Sequence, residues 1–347
     1  MVTTAEKLLG PVMNTIAARN AFFFALKEKG IFKGLNDLGQ SANFPNVYEQ
    51  GGFGVYAGND TLPQSQIDGM TDAEYQWRQA VADLTITGIE RAKNKGASRK
   101  KDLFETRTMQ VMTGFVEGFT KAVFQGQGVN ANTAGNIETA FLDPTTARAF
   151  VDPIPLLVKK DPTTGSVGKL DPSTRTWWQN HAQASTATTF AGLWKEIRSF
   201  DLQMMENAGH RVKPKSVIYL TDRFFVEVYE ASLRSQNRFT DQRLADFPFE
   251  HVLIHGKPAT WDGFLPNWQD RDTTQEQAKA TLVAIDSASM GLYYYRPLGN
   301  VGERKTDFRV PARQDSETAY FLWYGALGTG NRREHGVLYN IDGTIAS

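Results

Sequence analysis

Apolar positions follow two periods along this chain, a helical one near the start and through the middle, and an alternating one between and after them. Leu8, Leu9, Val12, Met13 and Ile16 keep helical spacing across Pro11, with Phe22, Phe23 and Phe24 close behind. A lone stripe of this kind cannot bury itself. It must lie on another part of its own domain or on a neighbour. In the next segment Gly51, Gly52, Gly54 and Gly58 punctuate a short extended run holding Phe53, Val55 and Tyr56. A polar tip follows from Leu62 to Met70, and then Tyr75, Trp77, Gln79, Val81, Asp83, Thr85 and Thr87 share one face of an alternating strand. The pattern predicts a long two-stranded excursion, and an isolated hairpin is marginal in water. Something outside must hold it, unless it serves as a flexible lid.

The helical period returns after Ser98, which can cap a helix running to about Gln125, where Gly126 stops it. Leu103, Phe104, Met109, Met112, Phe115, Val116, Phe119 and Val123 make its broad apolar face, over roughly seven turns. Gly114 and Gly118 each weaken such a helix by about 1 kcal/mol relative to alanine, which predicts close approach of another backbone. A glycine- and asparagine-rich loop leads to Asp161–Asn180, with two Asp-Pro turns and the pair Trp177-Trp178. From Thr188 helices and strands alternate. Helices are expected at Thr188–Asn207 and Asp222–Arg234, and strands at Ser216–Leu220, His251–His255, Leu282–Asp286 and Leu292–Arg296. Two last strands, Thr318–Tyr324 and Gly336–Ile341, are joined through a glycine-rich turn at Gly325–Gly330. No internal repeat or low-complexity tract is apparent.

Composition narrows the classes. A chain of 347 residues can bury a sizeable core in one large or two intertwined domains. Its 22 Phe, 11 Tyr and 7 Trp predict ring-rich cores or interfaces. The balance of 38 basic against 38 acidic residues argues against a dedicated nucleic-acid binder and suits dense self-association. With no cysteine there is no disulfide, thiolate nucleophile or cysteine-based zinc site, which fits a reducing cytoplasm. No membrane segment is expected, since the longest apolar run near the start, Ala21–Leu26, is far too short to span a bilayer.

Catalytic signatures are weak throughout. Gly165-Ser166-Val167-Gly168-Lys169-Leu170 has too few residues between its glycines for a phosphate-binding loop, and Leu170 stands where a magnesium-holding hydroxyl is needed. Gly126-Gln127-Gly128 follows a helix where a dinucleotide fingerprint requires a strand. His251 and His255 read as strand residues, roughly 13 Å apart and too distant to share a metal. Asp241, Asp246 and Glu250 could pair as carboxylates, as could many triples in any acid-rich chain. No catalytic, cofactor-binding or metal-binding residue is assigned. One charge cluster does stand out: Arg91, Lys93, Lys95, Arg99, Lys100, Lys101 and Arg107 against only Asp102 and Glu105, a local +5. Cations at a helix start oppose its dipole. The cluster is therefore either a solvated turn or a patch for phosphate or an acidic partner.

The stretch Asn237–Trp261 (NRFTDQRLADFPFEHVLIHGKPATW) combines a charged bend, a helical turn and a short strand, with Arg, Asn and Asp side chains suited to docking. It resembles the axial-domain segment of the tailed-bacteriophage major capsid protein family, which has the Hong Kong 97-type shell fold. Further matches occur in the same order: Arg19-Asn20-Ala21, Glu74–Ala80 leading to Thr85-Ile86-Thr87-Gly88, Asp161–Asn180, and Arg332-Arg333-Glu334-His335-Gly336-Val337-Leu338. The resemblance implies an α+β fold with an N-terminal arm (1–47), an extended loop hairpin (48–85), a peripheral domain (86–184 and 301–347) with a spine helix at about 99–125, and an axial domain (185–300). It also implies a shell protein that forms hexamers and pentamers around packaged double-stranded DNA in a virion built in a bacterial host. Scaffolding, portal and decoration proteins would be its partners, the scaffold being a separate protein or a removed segment.

Under that resemblance Phe53, Tyr56, Leu62, Tyr75 and Trp77 are expected at intersubunit contacts of the extended loop. Asn237, Arg238, Phe239 and Arg243 are expected at the capsomer centre, and Arg91, Lys93, Lys95, Arg99, Lys100 and Lys101 facing DNA or scaffold inside. The 130–155 stretch is longer than the family norm, and no cross-linking lysine–asparagine pair can be assigned. An encapsulin-like compartment shares the fold and is the first alternative. A soluble α/β enzyme is the second.

Overall fold

The first strands of the excursion feed two different sheets. The computed structural model describes residues 32–35, 39–49, 55, 57–58, 68–93, 103–125, 151–209, 216–235, 252–262, 265, 279–295, 303–305 and 315–342. After β1 (Phe32–Leu35), β2 (Ala42–Val47) pairs antiparallel with β3 (Met70–Tyr75), Ala42 opposite Tyr75 and Val47 opposite Met70. The single alternating strand expected from Tyr75 to Thr87 is broken at Gln76-Trp77. Beyond the break β4 (Arg78–Thr87) pairs along its whole length with the distant β12 (Ser316–Thr329). The base of the excursion therefore starts at Ala42, inside the stretch assigned to the arm by sequence.

α1 (Gly88–Lys93) follows β4 directly, opened by a reciprocal cap in which the Glu90 carboxylate accepts from the Thr87 N–H at 3.1 Å and the Thr87 hydroxyl accepts from the Glu90 N–H at 3.4 Å. α2 (Leu103–Gln125) is the long helix, starting a few residues later than its sequence signals. It lays Val116, Phe119, Val123 and Phe124 on the sheet, and Phe119 meets Trp323 edge-on at 5.2 Å. Met109, expected on that face, is 60% exposed. No backbone approaches Gly114 or Gly118 either, and the space above both is open.

Past the short α3 (Ile154–Leu157) and a one-turn 3-10 helix (Thr176–Trp178), the chain builds a six-stranded sheet. It is made of β5 (His181–Ala184), β6 (Val217–Thr221), β7 (Val252–Ile254), β8 (Lys257–Trp261), β9 (Lys279–Asp286) and β13 (Gly336–Asp342), in the order β5-β13-β9-β6-β8-β7. Successive side chains of a strand point to opposite faces, so β6 and β9, buried on both faces from Val217 to Thr221 and from Ala280 to Asp286, feed two cores. Ile218, Leu220, Val283 and Ile285 enter the first with Val337, while Val217, Tyr219, Leu282 and Ala284 enter the second with Leu338. The second core is closed by α4 (Phe190–Asn207) and α5 (Arg223–Ser235), as the helical periodicity predicts. Thr189 caps α4, and the buried Asp222 carboxylate ties the start of α5 to β9 by accepting from Phe225 N at 2.9 Å and Thr281 N at 3.0 Å.

Two turns differ from expectation. The residues Gly256-Lys257-Pro258, read as the stop after a strand, are split: His255 and Gly256 take positive φ (49° and 78°) and form the two-residue turn, and Lys257 opens β8. The glycine-rich run Gly325–Gly330 is not a turn but strand as far as Thr329. Its glycines are there for rings: a Cβ on Gly328 would lie 2.5 Å from the Tyr75 ring, and one on Gly325 would lie 2.4 Å from Trp323. β10 (Met290–Tyr295), placed with the axial strands by sequence, pairs with that segment of β12 and with β1, while β11 (Glu303–Lys305) pairs with Phe321–Trp323.

Candidate assembly surface

The base of the excursion is fixed by aromatic packing and one tight turn. Phe44 stacks on Tyr293 at 4.4 Å and meets Tyr75 edge-on at 5.3 Å, while the Tyr75 hydroxyl donates to the Thr329 carbonyl at 3.1 Å. Burial pushes the Tyr75 phenol well up from its ordinary value. Tyr75 thus packs within the chain's own first core. The loop that superficially resembled a phosphate-binding site clasps the same strand. Gly168 and Lys169 take left-handed φ (58° and 60°), the Gly168 carbonyl accepts from Glu74 N at 3.0 Å, and Lys169 forms an ion pair with Glu74. Tyr48 stacks on Trp177 at 4.5 Å, and the buried Trp178 indole donates to the Val167 carbonyl at 2.9 Å. Away from this base the surface turns apolar: Val47 and Met70, opposite one another in register, are 41% and 73% exposed.

A second surface runs between β4 and α2. A cleft of about 540 Å³ is lined by consecutive β4 residues from Ala80 to Thr85 and by Arg107, Val111, Gly114, Phe115 and Gly118 of the helix. Among the described residues β4 pairs on one side only, with β12. Val81 and Ile89 stand exposed nearby. Arg107, counted in the basic cluster, is bound at 2.7 Å by Glu90, whose carboxyl is held below its ordinary value by Thr87 and by this guanidinium. It therefore serves to join α1 to α2 rather than as a free cation.

One ionisable cluster among the described residues lies mostly in the second core. Asp201 of α4 is fully buried beneath the Tyr219 hydroxyl and the Lys257 ammonium, the latter at 3.0 Å, with His255 at 3.7 Å. Burial pulls Lys257 down and pushes Tyr219 up from their ordinary values. Lys257 is itself buried and the arrangement ties α4 to the sheet, while His255 at its edge is partly exposed. Arg332, also fully buried, donates to the Leu157 carbonyl at 2.9 Å, the Trp178 carbonyl at 3.1 Å and Asn180 Oδ1 at 2.8 Å. Among the described residues no cluster of three metal-ligating side chains occurs, and no helix is long and apolar enough to cross a membrane.

Of the residues singled out by sequence, Trp77 is half-buried against the first core and Lys93 is exposed at the end of α1. Arg91 lies on α1, its side chain outside the described set. Phe53, Tyr56, Leu62, Lys95, Arg99, Lys100, Lys101, Asn237, Arg238, Phe239 and Arg243 lie outside the described residues. Val47, Met70 and Ile89 were missed as exposed apolar positions. Their signal was apolar side chains among polar neighbours on short elements, which periodicity alone assigns to a core.

No protein-family model matches the sequence, and no curated protein matches it. Solved structures do. The chain superposes on the capsid subunit of Cyanophage A-1(L) with a TM-score of 0.57 at 12% identity, covering 91% of this chain and 93% of that one. On the capsid of a native GTA particle the TM-score is 0.56 at 10% identity, covering 91% and 90%. On the SrpI encapsulin of Synechococcus elongatus it is 0.54 at 10% identity, covering 90% and 85%. The fold is the Hong Kong 97-type shell fold, with an α+β architecture.

Proposed function

We propose that this chain is a major capsid protein that self-assembles into a closed shell around double-stranded DNA. The observation that carries the reading is the end-to-end likeness to shell subunits, 91% of this chain on 93% of the cyanophage one. A shell subunit needs surfaces that no single copy can cover, and the exposed Val47–Met70 pair and the β4–α2 cleft are of that kind. On this reading the excursion beyond β2 and β3 clasps a neighbouring copy, the 237–243 segment lies at capsomer centres, and scaffold, portal and decoration proteins are further partners in the virion.

Negative-stain microscopy of the purified protein tests the proposal. Closed megadalton shells are expected, and small monodisperse particles would overturn it. Nuclease-protected DNA in shells from infected or induced cells separates a capsid from an encapsulin, which would hold cargo protein instead. Deleting Gly58–Gly69 should leave a folded, soluble protein that closes no shells.

A further inference from the structure

Asp201 of α4 and Lys257 of β8 meet at the second core as a buried amine and a buried carboxyl. Lys257 Nζ lies 3.0 Å from Asp201 Oδ2, and the two side chains are 4% and 0% exposed. The Lys169–Glu74 pair makes the contrast, with side chains 62% and 38% exposed. Water solvates charges of that second kind and competes for their contacts, whereas ions taken into a core lose their hydration at high cost. Oδ2 of Asp201 has no aligned hydrogen bond to offset that cost. Burial pulls the Lys257 amine below its ordinary value, toward the uncharged form that acts as a nucleophile.

Tyr219 of β6 joins the same two groups by a second route. Lys257 Nζ donates to the Tyr219 hydroxyl at 3.2 Å, and that hydroxyl donates to Asp201 Oδ1. One shift of protons along Nζ–H···Oη–H···Oδ1 turns an ammonium and a carboxylate into an amine and a carboxylic acid, and leaves the phenol as it began. Burial pushes this phenol well up from its ordinary value, so Tyr219 passes protons without ionising. On the other side, His255 Nδ1 stands 3.7 Å from Oδ2, where a ring N–H can turn to meet negative charge on that oxygen. An amine held against a carboxyl in a desolvated site is arranged for attack on its carbon.

We propose that Asp201 and Lys257 condense into an intramolecular isopeptide bond that links α4 covalently to β8. After the first relay the neutral Nζ attacks Cγ, a C–N bond forms, and negative charge collects on Oδ2. A proton then leaves the nitrogen and returns through Tyr219 to the Oδ1 hydroxyl. The Cγ–Oδ1 bond breaks, Oδ1 departs as water, and Oδ2 remains as the amide carbonyl. Of the three ammonium protons, the equivalent of two leave in the water and one stays on the amide nitrogen, while the two opposite charges cancel. The step needs no oxidant or co-reactant. It replaces two buried ions with a neutral amide, which removes their desolvation cost.

Intact-mass spectrometry of the full-length protein, folded first and then denatured, tests the proposal. The wild type should be lighter by one water than its sequence requires, and Lys257→Met should carry its full mass. A tryptic digest should yield a branched peptide joining Ser199–Arg211 to Leu244–Arg271, which separates the bond from water loss within a single aspartyl residue. A folded wild type that retains the water, or whose missing water maps elsewhere, overturns the proposal. That measurement decides even where Lys257→Met fails to fold. Tyr219→Phe removes the relay, so water loss in samples drawn after cell-free synthesis should slow by roughly a hundredfold. An unchanged rate there would refute the relay. The masses are independent of whether the protein forms shells.

Discussion

The two faces of the six-stranded sheet are covered by chain segments of very different reach. The second core is mostly local: α4, β6, α5, β7, β8 and β9 follow one another, and β13 is the distant contributor among the described residues. The first core gathers β2, β3, α2, the Asp161–Asn180 loop and β12, from Ala42 to Val337. Its ties span the chain, as when Arg332 reaches Leu157 across 175 positions and Arg333 reaches Tyr48 across 285. Local cores rest on periodicity and caps. The distant one rests on a few buried polar groups and on glycines that make room for rings.

That contrast can be broken at its strongest point. Arg332→Ala leaves the Leu157 and Trp178 carbonyls short of a donor, while Asn180 Oδ1 keeps Lys159 N, and should cost about 2–6 kcal/mol in urea denaturation. Far-UV circular dichroism should retain more of the α4 and α5 signal than near-UV spectra retain of the tryptophans. A uniform loss would make the two cores one cooperative unit. Gly328→Ala forces a methyl into the Tyr75 ring and should cost about 1–3 kcal/mol. In the second core Thr189→Ala removes only a helix cap, for about 1 kcal/mol by the same measurement. The smallest effect has the opposite sign. Gly118 faces open space in a helix, so Gly118→Ala should stabilise by about 0.5–1 kcal/mol. A loss there would mean that the cleft is filled in solution.

How much was legible in the sequence follows the same division. Thr189, Asp222 and the apolar stripes of α4 and α5 mark their helices through local rules, and the expected boundaries lie within a few residues. The long helix was legible for the same reason. Which strand pairs with which was not: nothing near Val81 encodes Leu322 as its partner. The glycines of β12 read as a turn because glycine signals both turns and close packing, and only the rings of Phe44, Tyr75 and Trp323 distinguish the two. The burial of Tyr75 in the chain's own core was not legible either, because an aromatic in a polar strand looks the same whether its core is its own or a neighbour's. Arg107 looked free because its partner Glu90 precedes the cluster from which it was counted.

The β4–β12 ladder also sets a schedule. Thr85 and Thr318, which share a hydrogen bond across it, are separated by 233 residues. A ribosome adding roughly 5–20 residues per second leaves β4 without its partner for roughly 10 to 50 s. Throughout that interval a ten-residue strand waits with two bare edges. Asp83, with Gln79, Thr85 and Thr87 on the same face, gives the waiting strand a polar side and one charge, the feature that discourages nascent chains from pairing with each other.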